Sequence, residues 1–65
     1  MKIEINGEAR EIEASTISEA LDALGLADAK VATALNGDFV PKALRDSQPL
    51  KDGDKLEVLA PMQGG

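Results

Sequence analysis

The sequence predicts an α+β domain: a mixed sheet of four to five strands with one main helix packed on one face. Three observations lead there. Two Asn-Gly pairs, Asn6-Gly7 and Asn36-Gly37, each interrupt a run of strand-like residues, and Asn-Gly between such runs is the strongest short hairpin signal. Only the stretch beginning at Ile17 carries a clean helical stripe. The run Lys55 to Ala60 then returns to strand alternation close to the end of the chain.

Taken in order, Met1 to Asn6 alternates apolar with polar residues, the period of a half-buried strand. After the Asn6-Gly7 turn, Glu8 to Ala14 forms a second strand, with Ile12 and Ala14 inward and Glu11 and Glu13 toward water. Thr16 with Glu19 three residues on makes a capping box, in which each side chain accepts from the other residue's backbone N–H. Ile17, Ala20, Leu21 and Leu24 lie at i, i+3, i+4 and i+7 and so share one face of a helix about nine residues long. Gly25 stands where a left-handed C-terminal cap belongs.

Val31 to Leu35 is a third strand, with Val31, Thr33 and Leu35 on one face and Ala32 and Ala34 on the other. Asn36-Gly37 leads into a short strand, Asp38 to Val40, which Pro41 ends because it cannot donate to a ladder. Lys42 to Leu50 has no period and is expected to be irregular or briefly helical. Asp52-Gly53-Asp54 is a third turn, and the last strand puts Leu56, Val58 and Ala60 on one face. If the first and last strands are central and parallel, the helical crossover supplies the required reversal. The arrangement is then a β-grasp fold, with residues 1–60 as the domain and residues 61–65 as a flexible tail.

Composition restricts the function. Sixty-five residues bury too little surface to enclose a substrate-sized cavity beside a core. With no Cys and no His, the usual nucleophiles, bases and zinc ligands are missing, which argues against an enzyme. A net charge of −5 argues against nucleic acid or anionic membrane as partner and points to a basic protein surface. No basic segment leads into an apolar run and no stretch nears membrane-spanning length. A cytoplasmic protein is expected.

The C-terminus carries the functional signal. Pro61 stiffens the exit from the last strand, Met62 and Gln63 supply reach, and Gly64-Gly65 ends the chain. A terminal Gly holds its carboxylate on a carbon without a side chain, on a backbone free to adopt almost any φ/ψ. Such an arm can enter a narrow slot in a partner's active site; a frayed, idle terminus is the alternative.

Elsewhere, Leu59 points away from Leu56 and Val58, onto the face the helix leaves bare. With Ala32 and Ala34 it is expected to form an apolar docking patch, against the alternative of a solitary surface leucine. Phe39, the sole aromatic, is expected to pack at the sheet edge. Asp52, Asp54 and Glu57 are expected to be solvated turn and surface residues, with no metal site. Lys42 and Arg45 are expected on a solvated surface.

Several of these stretches together resemble the ThiS family of sulfur carriers, within the ubiquitin-like β-grasp superfamily. They are the opening strand running into Asn6-Gly7, Thr16-Ile17-Ser18-Glu19-Ala20-Leu21, Leu24-Gly25-Leu26, Ala34-Leu35-Asn36-Gly37-Asp38-Phe39-Val40-Pro41, Leu50-Lys51-Asp52-Gly53-Asp54 and Gly64-Gly65. The resemblance covers essentially the whole chain, and its most specific part runs from Ala34 to Pro41. It implies that a ThiF-like adenylating enzyme uses ATP to turn the Gly65 carboxylate into an acyl-adenylate, with no cofactor held by the chain itself. Sulfur then displaces AMP to leave a thiocarboxylate, and a ThiG-like thiazole synthase takes that sulfur in thiamine biosynthesis. Within the same fold the alternatives are a carrier for molybdopterin or another thiolated product, and a protein modifier conjugated through Gly65.

Overall fold

A computed structural model of the chain describes residues 1–60. The elements follow in the order β1 (Lys2–Ile5), β2 (Glu8–Glu11), α1 (Ile17–Ala23), β3 (Ala32–Leu35), β4 (Asp38–Val40), a 3₁₀ turn (Lys42–Leu44) and β5 (Lys55–Leu59). The sheet order is β2-β1-β5-β3-β4. β1 and β5 are parallel; β1–β2, β3–β5 and β3–β4 are antiparallel. This is the expected β-grasp, with the C-terminal strand at the centre.

Both Asn-Gly pairs form two-residue hairpins, joining Ile5↔Glu8 and Leu35↔Asp38. All four central residues have positive φ: Asn6 52°, Gly7 85°, Asn36 51° and Gly37 89°. That backbone matches the strand twist and is open to few residues besides Asn and Gly. At the end of α1, Leu26 N–H donates to Leu21 O (2.7 Å) and Gly25 N–H to Asp22 O (3.0 Å). With Gly25 at φ 77°, this is a Schellman cap that satisfies the last carbonyls.

The N-terminal cap differs from expectation in one bond. Glu19 N–H donates to Thr16 Oγ1 (3.3 Å), but the Glu19 carboxylate accepts from the N–H of Ser15 rather than Thr16 (2.7 Å). The chain on either side of Thr16 is already committed to the segment before Leu50: Ile17 N–H donates to Gln48 O, and Leu50 N–H to Ser15 O. A two-sided bridge of this kind docks the helix start onto the crossing segment.

The core is one cluster on the helix-facing side of the sheet. Ile3, Ile5, Leu35, Val40, Leu56 and Val58 meet Ile17, Ala20 and Leu21, closed by Ala14 and Leu50. Burying each large aliphatic chain contributes about 1.5–3 kcal/mol. β2 is shorter than expected and wholly exposed, because it is an edge strand. Its ladder nevertheless runs one pair further, with Met1 and Ile12 exchanging backbone bonds (3.1 and 2.9 Å). Ala14 is buried as expected, beyond the strand rather than within it.

Three residues depart from expectation. Ala60 is exposed and lies past the end of β5, since the neighbouring β3 begins at Ala32, which pairs with Leu59. Asp54 is buried: it accepts from Lys51 N–H (2.9 Å) and Asn36 Nδ2 (3.1 Å), so the turn needs its carboxylate inside. Arg45 is also buried: Nε donates to Thr33 Oγ1 (3.0 Å) and Nη2 to the Val31 carbonyl (2.5 Å).

Candidate functional site

The tail residues Pro61, Met62, Gln63, Gly64 and Gly65, and with them the expected flexible arm, lie outside the described residues. The structure fixes where the chain departs. β5 is held between β1 and β3 and ends at Leu59. Its ladder with β1 is short, Glu4↔Lys55 and Ile5↔Leu56, and Asn6 extends it. Asn6 N–H donates to Leu56 O (3.0 Å), its Nδ2 donates to Val58 O (3.0 Å), and Val58 N–H donates to its Oδ1 (2.8 Å). The side-chain amide thus replaces a missing strand residue and clamps β5 just before the chain leaves.

Asn36 does the same at the other end of β5. Its Oδ1 accepts from Lys55 N–H (2.9 Å), and Asn36 N–H donates to the Lys55 carbonyl (2.7 Å). The sequence marks both asparagines only as turn formers. Their second role depends on which strand the fold brings beside each turn, and no local pattern reveals it.

Directly opposed residues on adjacent strands point to the same side of a sheet. Ala32↔Leu59, Ala34↔Glu57 and Ala34↔Phe39 therefore share the face away from the helix. Leu59 is 57% exposed, and Ala32 and Ala34 are half-buried. The expected trio is brought together. Phe39 corrects a further expectation: it is 69% exposed and packs no core, because it faces Ala34 on the open side. The apolar surface is thus wider than the sequence suggests, running from Leu59 across the alanines to Phe39, with Glu57 beside it.

The Met1 ammonium is held 3.1 Å from Glu11 Oε2, and that hydrogen bond raises its pKa above the usual value. Among the described residues no group of three or more carboxylates gathers to hold a metal ion. Asp52 accepts instead from Lys2 N–H (2.7 Å). No helix among the described residues is long and apolar enough to cross a membrane.

Comparison with known proteins agrees with this geometry. The model of the ThiS family matches residues 3–65. A thiazole synthase of Paramagnetospirillum magneticum is 44% identical across all of this chain, which spans only 20% of that protein's length. The sulfur carrier protein ThiS of Thermus thermophilus is 41% identical, over 94% of this chain and 95% of that one. A crystal structure of the thiamine biosynthesis protein ThiS from Geobacter metallireducens superposes with a TM-score of 0.86 at 33% identity, covering both chains completely. A solution structure of a thiamine biosynthesis protein from the same organism gives 0.79 at 33% identity, over 100% of this chain and 88% of that one.

Proposed function

The chain belongs to the ThiS family, and on that premise we propose that it is a sulfur carrier of thiamine biosynthesis loaded at Gly65. A carboxylate is a poor electrophile, because its charge repels nucleophiles and it has no leaving group. A ThiF-like enzyme removes both obstacles by transferring AMP from ATP to the Gly65 carboxylate, with release of pyrophosphate. Sulfide, as HS⁻, then adds to the acyl carbon, the bond from that carbon to the phosphate oxygen breaks, and AMP and a proton depart, leaving a thiocarboxylate. Dividing one hard substitution into two easier ones is the general gain of covalent activation. The partner enzymes do the chemistry, and this chain is their co-substrate rather than a catalyst, working in the cytoplasm.

The observation that carries this reading is that the matched family pattern extends through Gly64 and Gly65. The clamping of β5 by Asn6 supports it, since a fixed exit aims whatever follows. Thiazole synthase is the proposed sulfur acceptor, supported by the likeness of the whole chain to a fifth of such an enzyme. Leu59, Ala32, Ala34 and Phe39 are the proposed docking face for these partners.

Incubation with ATP, a sulfur donor and the cognate activating enzyme, followed by intact mass, tests the reading. A carrier gains the mass of one oxygen-to-sulfur exchange. Higher-mass conjugates would indicate a modifier instead, and an unchanged mass would sink the proposal.

A further inference from the structure

Arg45 is 7% exposed, yet among the described residues its guanidinium forms no ion pair. Thr33 and the Val31 carbonyl, both neutral, take its Nε and Nη2 donors. Burying a charge without a counter-charge is costly, so an anion arriving nearby is favoured. Lys30 and Lys42 border the same surface depression, of about 420 Å³, as Arg45, with Asp28 the one carboxylate side chain among the described residues that line it. A second depression beside it is bordered by Lys42, Arg45 and Asp46. Three of the seven basic residues of a chain with net charge −5 therefore gather at one place.

That place is the tail end of the sheet. Ala32 borders the depression and pairs with Leu59, one residue before the described chain ends. Five further residues span at most roughly 17 Å, so an enzyme receiving Gly65 presents the rim of its entrance to this end of the domain. Resting on the carrier reading above, we propose that Lys30, Lys42 and Arg45 form a recognition site for carboxylate side chains on the rim of the activating enzyme, the opposite local charge to the basic partner surface that the net charge of −5 alone suggests. The remaining acidic surface is repelled by such a rim, so the cluster sets which end of the carrier leads. The action is local, since screening limits it to about 8–10 Å at ordinary ionic strength.

The test is the KM for the carrier in the loading reaction, read by intact mass at low and raised salt. Lys30 and Lys42 are exposed, so their reversal leaves the fold intact, which a thermal melt checks. The Lys30→Glu/Lys42→Glu double variant is expected to raise KM roughly five- to twentyfold at low salt, with kcat unchanged and the difference narrowing as salt rises. The control is Lys51→Glu, which alters charge at the opposite end beside Leu35 and Asn36 and is expected to stay within about twofold of the parent. A double variant with the parent KM, or a control whose KM rises as far, overturns the recognition site while leaving the carrier reading standing. A parent chain that is never loaded removes the carrier reading, and the inference with it.

Discussion

On the helix-facing side of the sheet, Ile3, Leu56 and Thr33 are shielded almost completely, whereas on the other side Leu59 and Phe39 keep more than half their surface exposed. The same strands supply both rows. β5 alternates as far as Val58, and there the alternation breaks, with a second hydrophobe at Leu59 that no helix among the described residues covers. Residues of one face are covered by the fold itself, whereas Leu59 and Phe39 are left exposed. The break in period matters more than the hydrophobicity, because single exposed leucines are ordinary, while Leu59 is contiguous with Ala32, Ala34 and Phe39.

If this contrast is right, substitutions on the two faces separate cleanly into loss of stability and loss of partner recognition. The largest effect on stability is expected from Leu56→Ala, which opens the centre of the core and costs about 2–5 kcal/mol. A domain this small has roughly 3–5 kcal/mol to lose, so chemical denaturation should find much of the variant unfolded. Next comes Asn6→Gly. Glycine accepts the positive φ of the turn, so only the two side-chain bonds to Val58 are lost, at about 1–2 kcal/mol. Amide exchange at Val58 should quicken in the same variant.

On the open face, Leu59→Ser and Phe39→Ser are each expected to change stability by less than about 0.5 kcal/mol. Each should nevertheless weaken the activating enzyme's hold on the carrier roughly five- to tenfold. A melting temperature that falls with either substitution, while KM stays put, would place these side chains in the core after all. The smallest effect is expected at the N-terminus. The Met1 ammonium has its pKa raised by Glu11, so its contribution is fully present below the unfolded value of about 8. It is lost as pH climbs through the higher folded value. Glu11→Gln should flatten the dependence of stability on pH above 8.

Much of the fold was legible because its signals are local. Asn-Gly turns, a helical stripe closed by Gly25 and a capping threonine each act within a few residues, and each stands where the sequence puts it. The misreadings share a different origin. Arg45 is buried because Thr33 and Val31, twelve and fourteen positions away, supply its acceptors. Asp54 is buried because the Asn36 turn lies beside it. In β4, only three residues long, period alone does not say which side of the sheet Phe39 takes. The candidate site was legible in the shared face of Leu59, Ala32 and Ala34, whose alternation is plain along β3 and β5, and hidden in Asn6, whose clamp exists only once β1 and β5 lie parallel.

The most direct measurement is fragmentation of the loaded chain by tandem mass spectrometry, to locate the sulfur. The account predicts that the added mass resides wholly on fragments containing Gly65, and that a chain lacking Gly65 stays unmodified although its domain is folded. Sulfur found on any fragment from residues 1–60, or taken up in full by the shortened chain, would contradict it.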